Sequence, residues 1–384
     1  MSIEAIELHR VAMPLVRPFE TSFGVQHDRE VLLVHVLTDA GGGWGECVAG
    51  KEPFYSSEWV DGAALVIEEF LAPALLRQGE VSAAGRSIHG GGAGTSVASL
   101  LAFVSGHRMA KAALEAAVLD AELRASGSSF AAFFGATREW VDCGVSVGIA
   151  PSIDALLDEV TGYVDEGYRR IKLKIKPGWD LEPVARVRAL IGDATGLQVD
   201  ANTAYTLADA EHLRELDAFG LLLIEQPFAE EDVASHAALA RMITTPVCLD
   251  ESILNAEIAA DAIERGATSV VNIKAGRVGG YVEAVRVHDV CLEAGVPVWC
   301  GGMLETGLGR AANVALAAMP GFTLPGDTSA SRRYFAEDLT EPFELGTGEH
   351  RGQLPVPTGP GTGVTVRTDL VREWALRAPV TLRR

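Results

Sequence analysis

The sequence predicts an α/β fold, a (β/α)8 barrel preceded by a smaller α+β capping unit. Three observations predict it. Short β-branched runs recur from residue 141 onward, centred near Val145, Leu173, Val199, Leu223, Cys248, Asn272, Val298 and Thr323, each 24 to 28 residues after the last. The gaps carry helical patterns, as with Ile153, Leu156, Leu157, Val160 and Val164 in the first. The 384-residue chain is also 48% hydrophobic and 22% charged, which suits a large buried core and excludes a disordered or fibrous chain. Parallel strands need a helical crossover between them, and eight such units close most simply into a barrel. A doubly wound open sheet is the alternative.

Along the chain, residues 1–135 form the first unit. Residues 3–16 and 31–37 have strand character and are expected to pair antiparallel. A helical segment follows at 57–77. A second helix runs from Arg108 to Ser126, with Met109, Ala112, Ala116, Leu119 and Leu123 on one face and Gly127 as its C-cap. Between them Gly85–Ser99 has no hydrophobic period and reads as a mobile surface loop. Its glycine run is not a phosphate loop, because no strand leads in and no Gly-Lys-Ser/Thr follows. Residues 136–330 form the barrel. Its last unit is the weakest, since Phe322-Thr323-Leu324-Pro325 is short and contains proline. Residues 331–384 are too irregular for the repeat and are expected to fold back and complete the capping unit.

Charge narrows the partners. Thirty-two Lys and Arg against 52 Asp and Glu leave a formal charge of −20, which repels phosphate backbones and anionic lipid. Nucleic acid and membrane surfaces are therefore excluded as expected partners. No apolar run approaches the roughly 18 residues that a membrane span needs, and the acidic first residues do not resemble a secretion signal. The five cysteines are scattered and sit mostly in apolar runs, as in a reduced cytoplasmic protein.

In such barrels chemistry lies at the C-terminal ends of the strands. The second run ends with Lys172 and Lys174, the third with Asp200, the fourth with Glu225, the fifth with Asp250 and Glu251, the sixth with Lys274. One charge after a strand is ordinary. Five consecutive strand ends, with acids in the middle and lysines outside, are not expected from solubility alone. Asp200, Glu225 and Asp250 are spaced 25 residues apart on neighbouring strands, so their carboxylates converge. Such carboxylates repel unless a cation joins them, and an all-oxygen set suits Mg²⁺ or Mn²⁺ better than Zn²⁺. Lys174 and Lys274 lie four strands apart and face each other across the mouth. Lys172, two residues from Lys174 on the same side, lowers its pKa and favours a neutral amine base. A divalent cation between two opposed amines suits removal of a proton beside a carboxylate, through an enediolate.

These residues resemble the enolase superfamily, in its muconate-lactonizing-enzyme subgroup. The resemblance rests on Lys172-Leu173-Lys174, Asp200-Ala201-Asn202, Glu225-Gln226-Pro227, Asp250-Glu251 and Asn272-Ile273-Lys274. It implies the chemistry of that superfamily, a Lys or His base working beside Mg²⁺. More narrowly, Gly301-Gly302-Met303-Leu304-Glu305-Thr306-Gly307-Leu308-Gly309-Arg310 and Pro325-Gly326-Asp327-Thr328-Ser329 are similar to the o-succinylbenzoate synthase / N-succinylamino acid racemase family. So are Pro18–Gly24 and Pro357–Gly361. The resemblance spans nearly the whole chain. It implies a TIM-type barrel whose mouth is closed by capping-domain loops at 18–28 and 48–57, with Phe19 and Phe23 shaping the pocket. It also implies a small carboxylate substrate and a homo-oligomer. The reaction implied is racemisation of N-acyl, especially N-succinyl, amino acids, with synthase (dehydratase) activity beside it. A dedicated synthase of menaquinone biosynthesis is the alternative. Muconate-type cycloisomerase and dipeptide epimerase follow behind. The epimerases carry Asp-x-Asp at the eighth strand, which Asp327-Thr328-Ser329 lacks. The Gly85–Ser99 stretch looks longer than the family's.

Lesser candidates complete the set. Gly144-Val145-Ser146-Val147-Gly148 matches a nucleophile pattern, but a nucleophile elbow needs a sharp turn into a helix. Valines flank Ser146 inside a strand, so it is expected to face inward and bond substrate instead. The N–H groups of Gly301 and Gly302 are candidates for holding a substrate carboxylate, with Met303 lining the pocket. Asn202 is placed near the metal, and Asp327 is a candidate partner for Lys274. Arg277 either adjusts Lys274 or is a plain surface arginine. A catalytically silent binding protein would have lost one of these lysines or carboxylates, and none is lost.

Overall fold

The computed structural model of the chain describes residues 1–85 and 95–384. Two long strands, Ile3–Thr21 and Gly24–Thr38, pair antiparallel, joined by a tight turn at Ser22–Phe23. Strand Gly41–Cys47 adds to one edge, and Val380–Arg383 from the end of the chain adds to the other. The helix Arg108–Ser126 packs on this sheet so closely that Gly43 and Gly45 meet its backbone, leaving no room for a side chain. Its C-cap, Gly127, takes the left-handed φ of 69° that ends a helix. The predicted 57–77 segment is helical but interrupted by a π-turn at Ile67–Leu71, next to Pro73, which cannot donate a backbone hydrogen bond.

The expected loop at Gly85–Ser99 is corrected at its far end. Thr95–Ser96 pairs parallel with Val81–Ser82, and Ser96 caps a short helix at Val97–Leu101. Two-residue strands and one-turn helices leave no period to read. Residues 86–94 lie outside the described residues.

Seven barrel strands pair in sequence order, all parallel: Gly144–Val147, Arg170–Lys174, Gly196–Asp200, Ile224–Glu225, Val247–Leu249, Val270–Ile273 and Val298–Cys300. The eighth segment is not a regular strand. It closes the ring through single bridges, Phe322 to Val298 on one side and Gly326 to Cys143 on the other. Pro325 between them has no N–H to extend either ladder. After the barrel, Gln353–Pro355 pairs with Trp140–Asp142, and residues around Val366–Val371 pack on Val11, Met13, Val31 and Leu33 of the capping sheet. All five cysteines are free and buried, and among the described residues no helix is long and apolar enough to cross a membrane.

Cap and barrel are joined by a buried acid. Glu115 on the Arg108–Ser126 helix is 3% exposed and accepts the Val282 N–H at 3.0 Å, at the start of the Tyr281–Glu293 helix. Burial outweighs these backbone bonds and pushes its pKa up to about 8. Between about pH 4.5 and that value the folded chain keeps a proton that the unfolded chain has lost, so stability falls as pH rises. Glu115→Gln is expected to remove that slope. It should gain about 3–5 kcal/mol over wild type on going from about pH 5 to about pH 9, measured by urea unfolding. Parallel pH profiles for the two proteins would refute it.

Candidate active site

The strand register explains why charge converges at the barrel mouth. Lys174 is in register with Asp200, and Asp200 with Glu225, across three neighbouring strands. Neighbours in register point to the same side of a sheet, here the barrel interior. Glu225 is in register with Cys248, so Asp250, two residues further on, rises above the same side. Beneath them Leu223, Cys248, Val270 and Trp299 make an apolar floor. Lys172 Nζ lies 4.8 Å over the Trp299 ring.

The backbone turns sharply as soon as the carboxylates have been presented. Asn202, Thr203 and Gln226 have φ of 41°, 64° and 38°. Left-handed backbone at non-glycine residues persists only where contacts hold it. Gln226 is held at both ends of its amide. Its Oε1 accepts the N–H groups of Asp250 at 3.0 Å and Ser252 at 3.2 Å, and its Nε2 donates to Ser252 Oγ at 2.8 Å. Gln226 thus fixes the turn that carries Asp250.

Cations and carboxylates form one buried web. Lys172 Nζ lies 2.7 Å from Asp327 and 3.3 Å from both Asp200 and Glu225. Lys174 Nζ donates to Asp200 and to Asn202 Oδ1, both at 2.6 Å. Lys274 Nζ donates to Asp250 Oδ2 at 2.8 Å and to Tyr55 Oη at 3.1 Å. Arg277 also contacts Asp250 and donates to the carbonyls of Ile253 and Asn272. At 4% exposure it is no surface arginine.

The two lysines are tuned in opposite directions. Burial lowers the pKa of Lys174, and Lys172 adds to the shift against Asp200. The neighbouring lysine therefore acts as expected, but burial is the larger cause. Burial also disfavours the Lys274 cation, but Tyr55, Glu251 and Glu225 outweigh it and hold that group above its ordinary value. Among the acids, burial raises Asp200, yet Lys174 and Lys172 overcome it and bring the group down to about 2. Glu251 is pushed up to about 7 by burial and by Asp200.

Above the web a cleft of about 150 Å³ holds Lys172, Lys174 and Lys274 in its walls, with Ser146, Asn202, Gly302, Met303 and Asp327. Capping residues close it, among them Phe19, Phe23 and Tyr55 from the two loops singled out in the sequence. Ser146 is 5% exposed, and its Oγ has no partner in the protein, as a group reserved for a ligand would. Two expectations fail. Asp327 bonds Lys172 and, at 2.8 Å, Arg170, not Lys274. The closing segment bridges to the first strand, which turns Asp327 toward the second. The Gly301 N–H is taken by Ile273 O at 3.0 Å, which leaves Gly302, not both glycines, lining the cleft. Two further site residues lie inside segments that the sequence singles out, without a role given to them there: Tyr55, in the 48–57 loop, and Asn272, in the Asn272-Ile273-Lys274 motif, which donates to Glu225 at 2.7 Å. Nothing local marks a tyrosine in a capping loop as reaching a distant strand end.

The residues fit a hard divalent cation. Asp200, Glu225 and Asp250 are 0–1% exposed and offer only oxygen, and Glu251 Oε2 beside them has no partner. Lys172 lies against Asp200 and Glu225, while Lys274 and Arg277 lie against Asp250. Ammonium and guanidinium groups here neutralise the carboxylates.

Comparison with known proteins agrees with this arrangement. The family model for the N-terminal domain of mandelate racemase / muconate lactonizing enzyme matches residues 4–135, and the enolase C-terminal domain-like model matches residues 155–370. An N-succinylamino acid racemase of Amycolatopsis is 62% identical over 97% of both chains. An o-succinylbenzoate synthase of Geobacillus kaustophilus is 45% identical over 95% of this chain and 94% of its own. A solved enolase-superfamily protein of Listeria innocua superposes with a TM-score of 0.91 at 37% identity, covering 100% of this chain and 99% of its own.

Proposed function

The chain belongs to the mandelate racemase / muconate lactonizing enzyme group of the enolase superfamily, and from that premise we propose that it racemises N-succinylamino acids. It is a divalent-metal-dependent enzyme acting on a small carboxylate. Mg²⁺ is the ion we assign, held by Asp200, Glu225 and Asp250. When bound, the cation supplies positive charge against the substrate carboxylate as the α-carbon loses its proton.

The observation that carries the reading is the placement of two lysines, Lys174 at the end of the second barrel strand and Lys274 just after the sixth, in the walls of one cleft. One amine is suited to take the α-proton and the other to deliver a proton to the opposite side. The substrate passes through a planar enediolate between them. Protonation from the Lys274 side inverts the centre, and the roles exchange for the other enantiomer. Ser146 and Gly302 line the walls as contacts for the rest of the substrate. Phe19 and Phe23 cover it from above and keep water off the carbanion.

A second reading is o-succinylbenzoate synthesis, favoured by the relatives of that name. There Lys174 would take the proton and the hydroxyl would leave from the same face as water, with Lys274 a fixed cation. Proton NMR in D₂O with Mg²⁺ separates the two. Loss of the α-proton signal from both N-succinyl-L-phenylalanine and its D form is the expected result. Exchange of neither enantiomer would overturn the racemase reading and leave the synthase or an unrelated carboxylate substrate.

A further inference from the structure

Away from the barrel, the capping sheet gathers two imidazoles around one carboxylate oxygen. Glu7 and His9 alternate on the first strand and so share a face, and Glu7 is in register with His35 on the second. His9 Nε2 lies 3.4 Å and His35 Nδ1 3.3 Å from the same atom, Glu7 Oε2. The three ligand atoms all fall within 4.8 Å of one another, the sole His/Cys/Asp/Glu grouping of that kind among the described residues. As charge-assisted hydrogen bonds these contacts are long, since such bonds run to about 2.7–2.9 Å. As edges of a coordination tetrahedron they fit. Bonds of about 2.0–2.1 Å to zinc place neighbouring ligands about 3.3–3.4 Å apart.

The surroundings hold the rings in place. Trp44, in register with His35 on the third strand, stacks on its ring at 4.1 Å and lies 5.3 Å from the ring of His9. Gly42 leaves room against His35 Nε2, where a side chain would collide. Burial lowers the pKa of His9, keeping a lone pair available at neutral pH. The side chains of Glu7, His9 and His35 are 24%, 16% and 19% exposed, so an ion and a water ligand can reach them. The exposed Arg372 is the cation that opposes such binding through His9.

We propose that Glu7, His9 and His35 form a second metal site, selective for Zn²⁺ or a similar nitrogen-preferring ion, with water as the fourth ligand. The site clips the first two strands of the cap together. Those strands run on into the Phe19–Gln26 hairpin that covers the cleft. None of the three ligands lines that cleft. The donor set separates the two sites, because imidazole favours zinc while the all-oxygen barrel site favours Mg²⁺.

The test uses the full chain, stripped of metal and then saturated with Mg²⁺ to occupy the barrel site. Co²⁺ is added as a spectroscopic probe, and Zn²⁺ is titrated by calorimetry. The expected result is one Zn²⁺ per chain, the intense visible absorption of tetrahedral Co²⁺, and a Zn²⁺-dependent rise in Tm. His9→Gln and His35→Gln, on different strands, should each weaken Zn²⁺ at least about tenfold and abolish the Co²⁺ band. Asp250→Asn in the barrel should leave both signals intact. Absence of zinc binding under Mg²⁺, or binding that neither histidine substitution weakens, would overturn the site and leave a hydrogen-bonded His–Glu–His cluster.

Discussion

Replacing Lys274 by alanine is expected to stop racemisation while one enantiomer of the substrate still exchanges its α-proton with D₂O. Lys174→Ala should do the same for the opposite enantiomer. Each base contributes a proton transfer, and losing a positioned acid or base costs roughly 100- to 10,000-fold in rate. The two substitutions are interpretable because neither strips its carboxylate bare. Asp250 keeps Arg277 and Tyr55 when Lys274 is removed. Asp200 keeps Lys172, at 3.3 Å, when Lys174 is removed. Mirror-image exchange measured by NMR would establish one base per face. Equal loss of exchange for both enantiomers in either variant would mean that the lysines act only as a joint electrostatic field. The tuning of Lys174 also fixes the pH dependence. Its lowered pKa makes the free amine available at lower pH than an ordinary lysine would allow, so the wild-type rate should rise through that range. Lys172→Met removes the like charge that helps lower Lys174, and should move the rise to higher pH.

Much of this site was legible in the sequence because barrels convert sequence period into spatial order. The spacing of 25 residues between Asp200, Glu225 and Asp250 maps directly onto adjacent strands, and the in-register pairs Lys174–Asp200 and Asp200–Glu225 are the outcome. The interior was legible for the same reason, since Lys172 and Lys174 alternate with Ile171, Leu173 and Ile175. The fourth strand was harder. Leu221–Ile224 is a continuous apolar run, yet only Ile224–Glu225 is regular strand, with Leu223 turned into the barrel floor. Long-range partners were not legible at all. Tyr55 reaches Asp250 across 195 positions, and Asp327 reaches Arg170 across 157. No periodicity encodes such contacts, because they depend on how a loop or a closing segment is turned after the barrel has formed. The same holds for Glu7 and His35: the turn at Ser22–Phe23 alone would set Glu7 opposite Thr38, and it is the register shift between Pro14 and Phe19 that sets it opposite His35.

Removing the divalent ion should inactivate the enzyme without unfolding it, and Lys172 is the reason. Stabilising the developing charge on the substrate is a contribution of several kcal/mol, so chelation should lower the rate at least about a thousandfold. Stability should respond far less. A bound ion at about 100 times its Kd adds only about 2.7 kcal/mol by mass action. Leaving three buried carboxylates uncompensated would cost much more. The structure shows what compensates them, since Lys172 sits between Asp200, Glu225 and Asp327 while Lys274 and Arg277 hold Asp250. Lys172→Met keeps the length of the side chain and removes its charge. Without metal, this variant is expected to be about 3–5 kcal/mol less stable than wild type. Added Mg²⁺ should recover more stability in the variant than in the wild type, because there the ion replaces a missing cation rather than joining one already present. Urea unfolding of both proteins, with and without Mg²⁺, gives the four stabilities that test this coupling. Unfolding of the wild type on chelation, or an equal Mg²⁺ effect in the two proteins, would show that the lysine does not substitute for the ion.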